Sequence, residues 1–259
     1  MNDIIQAYQD QLQVFNHVKF ISDDHSYLIN DQVAISATRL LNLYVKPFDR
    51  EYWSKVKASN LGVSPDEILN KWEQDSKLSI TKGIVVHSYI ESLFSNSNFT
   101  YPQEQIIFNF GHDPIQDSFH KIVDIANKFK ADIQDKMYPI ASEFIVGDSE
   151  YLVGGMLDQI FYNVKSGQLE IWDWKTNKEI KTQSRYKHLH PINHIPDCEL
   201  EHYSLQLSLY KVIIEKNTGL SLGNSYLTWF NENMDDYVIF KTKDYTNEVQ
   251  LLLDKQLKR

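Results

Sequence analysis

One cysteine, Cys198, stands in a chain of 259 residues. A disulfide within the chain is therefore impossible, and so is any zinc or iron–sulfur site built on cysteine ligands. Nor does the chain hold an apolar run near the ~18 residues that a membrane span needs. Its opening residues, Met1-Asn2-Asp3-Ile4-Ile5-Gln6, lack the basic stretch and apolar run of a secretory signal. A soluble cytoplasmic protein without a membrane partner is the expectation. There is no Gly-rich Walker motif, which argues against a fused ATPase motor, and no internal repeat or low-complexity tract. Positive charge is also in short supply. Lys and Arg number 26 against 35 Asp and Glu, a formal net charge of −9. A general nucleic-acid binder usually has a basic footprint, but a carboxylate site flanked by a local basic groove is compatible with an acidic total.

What is present is ordinary globular material. The chain is 42% hydrophobic and 24% charged, with 13 Phe, 15 Tyr and 5 Trp to fill a core. With no linker in view, one domain over residues 1–259 is expected. Residues 1–135 read as mainly helical, with short β-like pieces at 18–21 and 26–29 and Asp/Asn turns beside them. Ser36 reads as an N-cap for a helix through Leu41, and Asp49 as the cap of a helix with Tyr52, Trp53 and Val56. Ser64-Pro65-Asp66-Glu67 is a capping-box start for a helix through Ile68, Leu69 and Trp72. A separate helix is expected from about Ile80 to Phe94, and another over 115–134. Residues 136–259 read as a β-meander (138–146, 151–162, 169–175), a long loop, a helix over 199–216, strands at 225–230 and 237–240, and a helix from Thr246. The fold class is α/β, a central mixed sheet flanked by helices with an N-terminal helical part.

Two strand-like stretches face each other across the turn Asn163-Val164-Lys165-Ser166-Gly167. They are Gly154-Gly155-Met156-Leu157-Asp158 and Ile171-Trp172-Asp173-Trp174-Lys175. Strand alternation puts Asp173 and Lys175 on one face and Trp172 and Trp174 on the other. As a hairpin, the pair would bring Asp158 near Asp173. Two carboxylates and an ammonium would then converge, a cage for a hard divalent cation with a lysine beside it. On the preceding helix, His87 and Glu91 are four apart and share a face. His188, His190, His194 and His202 are too irregularly spaced to be read as a zinc cluster.

The order of these pieces carries a resemblance. It runs Thr81-Lys82-Gly83-Ile84-Val85-Val86-His87 through Glu91, then Glu143, Gly154 to Asp158, Asp173-Trp174-Lys175, and Gln206-Leu207-Ser208-Leu209-Tyr210. It resembles the PD-(D/E)xK nuclease superfamily, within it the RecB-like branch, and is similar to phage-type and mitochondrial-genome-maintenance-type DNA exonucleases. Ser36-Ala37-Thr38-Arg39-Leu40-Leu41 and the Trp53 region extend the likeness over roughly residues 30–230. The resemblance implies a restriction-endonuclease-like core and a Mg²⁺- or Mn²⁺-dependent DNA exonuclease of recombination, repair or replication. Its partners would be DNA, single-stranded or with a free end, and recombination or replication proteins. Asp158, Asp173, the Trp174 carbonyl and His87 would hold metal, and Lys175 would orient or deprotonate the attacking water. Glu143 would be an outer ligand, Glu91 would orient His87 or hold a water, and Gln206 and Tyr210 would touch DNA or brace the site. Some relatives hold an iron–sulfur cluster on four cysteines, which this chain cannot do. Lys55 and Lys57, and Lys178, Lys181, Arg185 and Lys187 in the long loop, are candidates for phosphate contact. Tyr44, Phe48 and Trp53 are candidates for stacking on bases, with core packing the commoner fate of such a Trp. The alternatives are a structure-selective endonuclease or resolvase on the same fold, and a non-catalytic DNA-binding protein.

Overall fold

The protein, described here by a computed structural model, is defined over residues 1–22, 26–95 and 97–258. The turn expected after the first strand falls on residues 23–25, outside the described residues. An eight-stranded mixed sheet lies at the centre. Its middle is the antiparallel trio β4 (Met137–Asp148), β5 (Val153–Asn163) and β6 (Gln168–Lys175). β7 (Leu222–Trp229) adds to β6 in parallel, and β8 (Val238–Lys241) closes that edge. At the other edge β1 (Val18–Ile21), β2 (Ser26–Ile29) and β3 (Gln32–Ser36) form a meander. β3 joins β5 in parallel through Ile35/Val153 and Ser36/Gly154.

That last pairing shapes the site. β4 occupies one side of β5 along its whole length, from Asn163 down to Val153. On the other side β6 pairs with Gln159 to Asn163 only, and β3 takes over at Val153 and Gly154. β6 runs antiparallel to β5 and β3 runs parallel to it. Their carboxyl ends therefore approach the same gap, residues 155–158 of β5, with Asp158 beside the end of β6. In open α/β sheets such a divergence of strand ends is where ligands settle.

Helices cover both faces. One core contains Leu40, Leu157, Ile160, Leu205, Leu209, Ile213 and Leu252. It joins the sheet to α1 (Asn2–Leu12), α2 (Ala37–Asn42), α7 (Glu199–Thr218) and α8 (Thr246–Gln256). The other contains Val86, Ile90, Phe94, Phe119, Phe129, Phe161, Trp172, Trp174 and Phe230. It lies under α4 (Pro65–Phe94), α5 (Gln103–Phe110) and α6 (Gln116–Ile133). Trp172 and Trp174 thus fill the core, as the alternation of β6 requires. Among the described residues no helix is long and apolar enough to cross a membrane.

The expected caps form. Ser36 accepts from the Arg39 amide, Asp49 from Tyr52 at the head of α3 (Arg50–Leu61), and Ser64 and Glu67 make the reciprocal capping box. The separate helices expected at 64–72 and 80–94 are one helix of 30 residues. The polar run Glu73 to Ser79 between them continues the helix with its side chains mostly outside the core. The β-like pieces expected within the mainly helical residues 1–135 are β1 and β2, and with β3 they belong to the common sheet. α1 and α5 were not expected from the sequence.

Candidate active site

The β5–β6 ladder ends at Gln159/Trp172, one step before Asp158 and Asp173 would pair. There the Asp158 side chain takes the place of a backbone acceptor. The Trp174 amide donates to its Oδ2 at 2.6 Å. This fixes the carboxylate and leaves Oδ1 facing α4, where His87 Nδ1 lies 3.3 Å away. On the opposite strand Glu143 sits between the pairs Ser142/Gln159 and Phe144/Leu157, across from Asp158. Its φ of +45° is a left-handed conformation that costs a non-glycine residue of order 1 kcal/mol or more. Ligand atoms of His87, Glu143 and Asp158 all lie within 4.8 Å of one another. Asp173 and Lys175 project from the same face of β6, with Lys175 Nζ 2.5 Å from Asp173 Oδ2.

The charges act on one another at short range. Burial works against ionised Asp158, but His87, Lys175 and the Trp174 amide outweigh it and hold the carboxyl below its ordinary range. Burial also opposes a charge on His87, yet Asp158 raises its pKa on balance. Glu143 is pushed up to about 7, first by burial and then by the charge of Asp158. Asp173 rises to about 6 through burial and Asp158, against the pull of Lys175. Lys175 itself is raised: burial would lower it, but Asp173 and Asp158 overcome that.

Could a divalent cation sit here? Asp173 Oδ2 is buried and accepts no hydrogen bond of good geometry; its contact with Lys175 is ionic. Besides that ion pair this buried carboxylate oxygen has no hydrogen-bond partner, which suits a cation. The remaining donors are carboxylate oxygens and one imidazole, a set that hard Mg²⁺ and Mn²⁺ accept. A pocket of about 320 Å³ opens beside them, lined by Gly83, Ile84, His87, Ser88, Glu91 and Glu143. Glu91 thus borders the site, and its charge adds to the upward shift of Glu143.

α7 braces the site from below. Gln206 Nε2 donates to Tyr210 Oη at 3.0 Å and to Thr38 Oγ1 at 3.3 Å. Tyr210 is 2% exposed, so its ring is packed inside and not presented to solvent. It fits because Gly155 has no side chain: a Cβ there would lie 2.4 Å from Tyr210 Cε1. Gly154 makes room for Tyr27 in the same way, with a Cβ landing 2.9 Å from the tyrosine Cβ. Gly155→Ala is therefore expected to cost about 1–3 kcal/mol by overpacking, read as a lower midpoint in urea.

One contributor escaped the sequence reading. The Tyr203 ring lies beneath Lys175, 4.7 Å from Nζ, and its hydroxyl accepts from Asn177 at 2.9 Å. The signal was present, since Tyr203, Gln206 and Tyr210 follow one helical face at i, i+3 and i+7.

The basic residues are spread out. Lys178 and Lys181 line a groove with Lys82, Thr176, Asn177 and Glu199, next to the carboxyl end of β6. Lys181 lies 3.7 Å from Glu199, and buried Lys82 is paired with Glu232 at 3.0 Å. Arg185 stacks on Tyr186, and Lys187 is exposed. Tyr44, expected as a stacking candidate, is buried at 4% exposure. Trp53, a stacking candidate with core packing the commoner expectation, is 45% exposed beside Tyr52, and Phe48 is 62% exposed against Trp72. Lys55 and Lys57 are exposed on α3, with Lys57 over the Trp72 ring.

No family model matches the chain, and no curated protein matches it. Among solved structures, a proposed exonuclease from Eubacterium rectale is similar over 70% of this chain and 65% of its own length, at 14% sequence identity and a TM-score of 0.43. A protein named SSO0001 is similar over 68% of this chain and 84% of its own, at 11% identity and a TM-score of 0.28.

Proposed function

We propose that this chain is a Mg²⁺- or Mn²⁺-dependent deoxyribonuclease of the exonuclease type, hydrolysing phosphodiester bonds in DNA during recombination, repair or replication. The observation that carries the reading is the convergence of His87, Glu143, Asp158, Asp173 and Lys175 at the gap where β5 changes partner. The ordered motifs of the sequence add the exonuclease class.

In this reading Asp158, Asp173 and His87 would hold the cation, with the Trp174 carbonyl and Glu143 as further oxygen donors. When bound, the cation would supply Lewis-acid polarisation of the scissile phosphate and a lowered pKa for the attacking water. The protein's own groups supply the rest. The Trp174 amide fixes Asp158 so that one oxygen is presented to the site. Lys175, held between Asp173 and the Tyr203 ring, offers a fixed positive charge to a phosphate whose negative charge grows in the transition state. Glu143 is positioned to accept a proton. Lys178 and Lys181, along the groove, hold the DNA backbone and carry no sequence information. Affinity is then expected to fall steeply with salt.

The experiment is digestion of end-labelled linear DNA, single- and double-stranded, beside covalently closed circles, with Mg²⁺, with Mn²⁺ and with EDTA. Loss of the linear forms alone, abolished by EDTA, is the expected result. Cleavage of closed circles would favour the endonuclease reading. No cleavage with any metal would favour a DNA-binding role and remove the catalytic assignments.

A further inference from the structure

The segment between Lys175 and α7 has no regular structure, but it is folded back on itself. Lys187 and Pro196 form a bridge, the His188 amide donates to Ile195 O at 3.1 Å, and the Asp197 amide donates to Tyr186 O at 2.9 Å. The Leu189 amide reaches Tyr44 O at 2.7 Å, and Ile192 and Ile195 are buried. The two arms are thereby held side by side against the first turn of α7.

This arrangement collects three metal-ligating side chains. His188 comes from the first arm, Asp197 from the second and His202 from α7, with one ligand atom of each within 4.8 Å of the others. His202 Nε2 is 2.8 Å from Asp197 Oδ1. The two imidazole rings are 4.7 Å apart between centroids. His188 is 3% exposed, and its Nδ1 lies 3.2 Å from Ile195 O. A carbonyl only accepts, so Nδ1 carries the proton and Nε2 keeps its lone pair. That is the carbonyl-to-histidine support found behind metal-bound imidazoles. A cavity of about 110 Å³, lined by Thr38, Asn42, His188, His202 and Gln206 among others, adjoins the cluster. It has room for water.

We propose that His188, Asp197 and His202 form a zinc site, separate from the cluster at β5, with a water from the adjoining cavity as the fourth ligand. Two imidazoles favour Zn²⁺ over Mg²⁺. Tetrahedral zinc with bonds of about 2.0–2.1 Å accommodates His202 and Asp197 once the ion replaces the proton they share. The site clamps both arms of the loop to α7, one residue before Tyr203, whose ring lies under Lys175.

The test uses the full chain, stripped with chelator and titrated with Zn²⁺ alone. Asp158→Ala serves as the background, because it removes the carboxylate at the centre of the β5 cluster. The expected result is about one Zn²⁺ per chain, with the melting temperature raised by several degrees. His202→Ala and Asp197→Asn, each added to that background, are expected to weaken Zn²⁺ binding by more than about tenfold and to remove the thermal shift. Asp197→Asn keeps an acceptor for His202, so it reads the site even where His202→Ala does not fold. With Co²⁺ as probe, the visible bands of a tetrahedral site are expected to persist in Asp158→Ala and to vanish in Asp197→Asn. Zinc affinity and thermal shift unchanged by both substitutions would overturn the proposal, as would no binding at micromolar Zn²⁺. Neither result touches the nuclease reading, which is measured with Asp197 and His202 intact.

Discussion

Lys175→Ala is expected to slow DNA hydrolysis by on the order of 10²–10³-fold while the site still takes up Mn²⁺. The side chain is 17% exposed and stands 2.5 Å from Asp173. Asp173 and Asp158 together raise its pKa in spite of burial, so the group remains an ammonium throughout the neutral range. In the proposed reading, that positive charge favours orienting the water and stabilising charge on the phosphate over taking a proton from the water. Cation uptake should be kept or strengthened by the substitution, because a positive neighbour is gone. Single-turnover rates on end-labelled DNA, paired with calorimetric Mn²⁺ titration, separate the two effects. A rate within tenfold of wild type would remove Lys175 from the machinery, and loss of Mn²⁺ uptake would mean that the site had collapsed.

The second large effect concerns stability. Asp148, at the end of β4, is 1% exposed. It accepts from the Glu150 and Tyr151 amides, from Lys216 and from Asn217, all at 2.9–3.0 Å. It thereby ties the β4–β5 turn to the last turn of α7. Asp148→Asn keeps the shape but loses the charge and turns a donor toward donors. The expected cost is about 2–4 kcal/mol at pH 7, on the order of 10 °C in melting temperature. Burial opposes the charge of Asp148, but the Lys216, Tyr151 and Asn217 contacts overcome it and lower its pKa. A folded-state pKa below the unfolded one stabilises the protein fully above the unfolded value, and the stabilisation fades as pH falls through the folded one. The gap between wild type and Asp148→Asn should therefore be constant above about pH 5 and shrink below about pH 4. Urea midpoints across pH 3–8 test this, and a gap that does not change over the range would exclude ionised Asp148 as its source.

The local signals of the sequence were readable because they act over short stretches. The Ser64 capping box, the Asn163–Gly167 turn and the two-residue period of Ile171–Lys175 each depend on neighbours only, and each is found where expected. Asp158 and Asp173 are close because a tight turn fixes the register between them. What could not be read depends on distant partners. The polar stretch at 73–79 looks like a break, yet the helix runs through it, with its flanks anchored by Ile68 and by Val85, Val86 and Ile90. The unusual backbone of Glu143 has no local signature. His188, Asp197 and His202 have no metal-binding spacing; a loop folded on itself brings them together.

The change of partner along β5 also has a consequence for the order in which the molecule comes together. Every charged group of the cluster lies between His87 and Lys175 in the chain. The gap itself exists only when Ser36, from an early strand, is registered against Gly154, and when Tyr210, from a later helix, fills the space left by Gly155. Such pairings between distant segments are slow to form. A nascent chain therefore carries every charged group of the cluster well before the gap that gathers them exists, and the cluster is complete only with the final closure of the sheet.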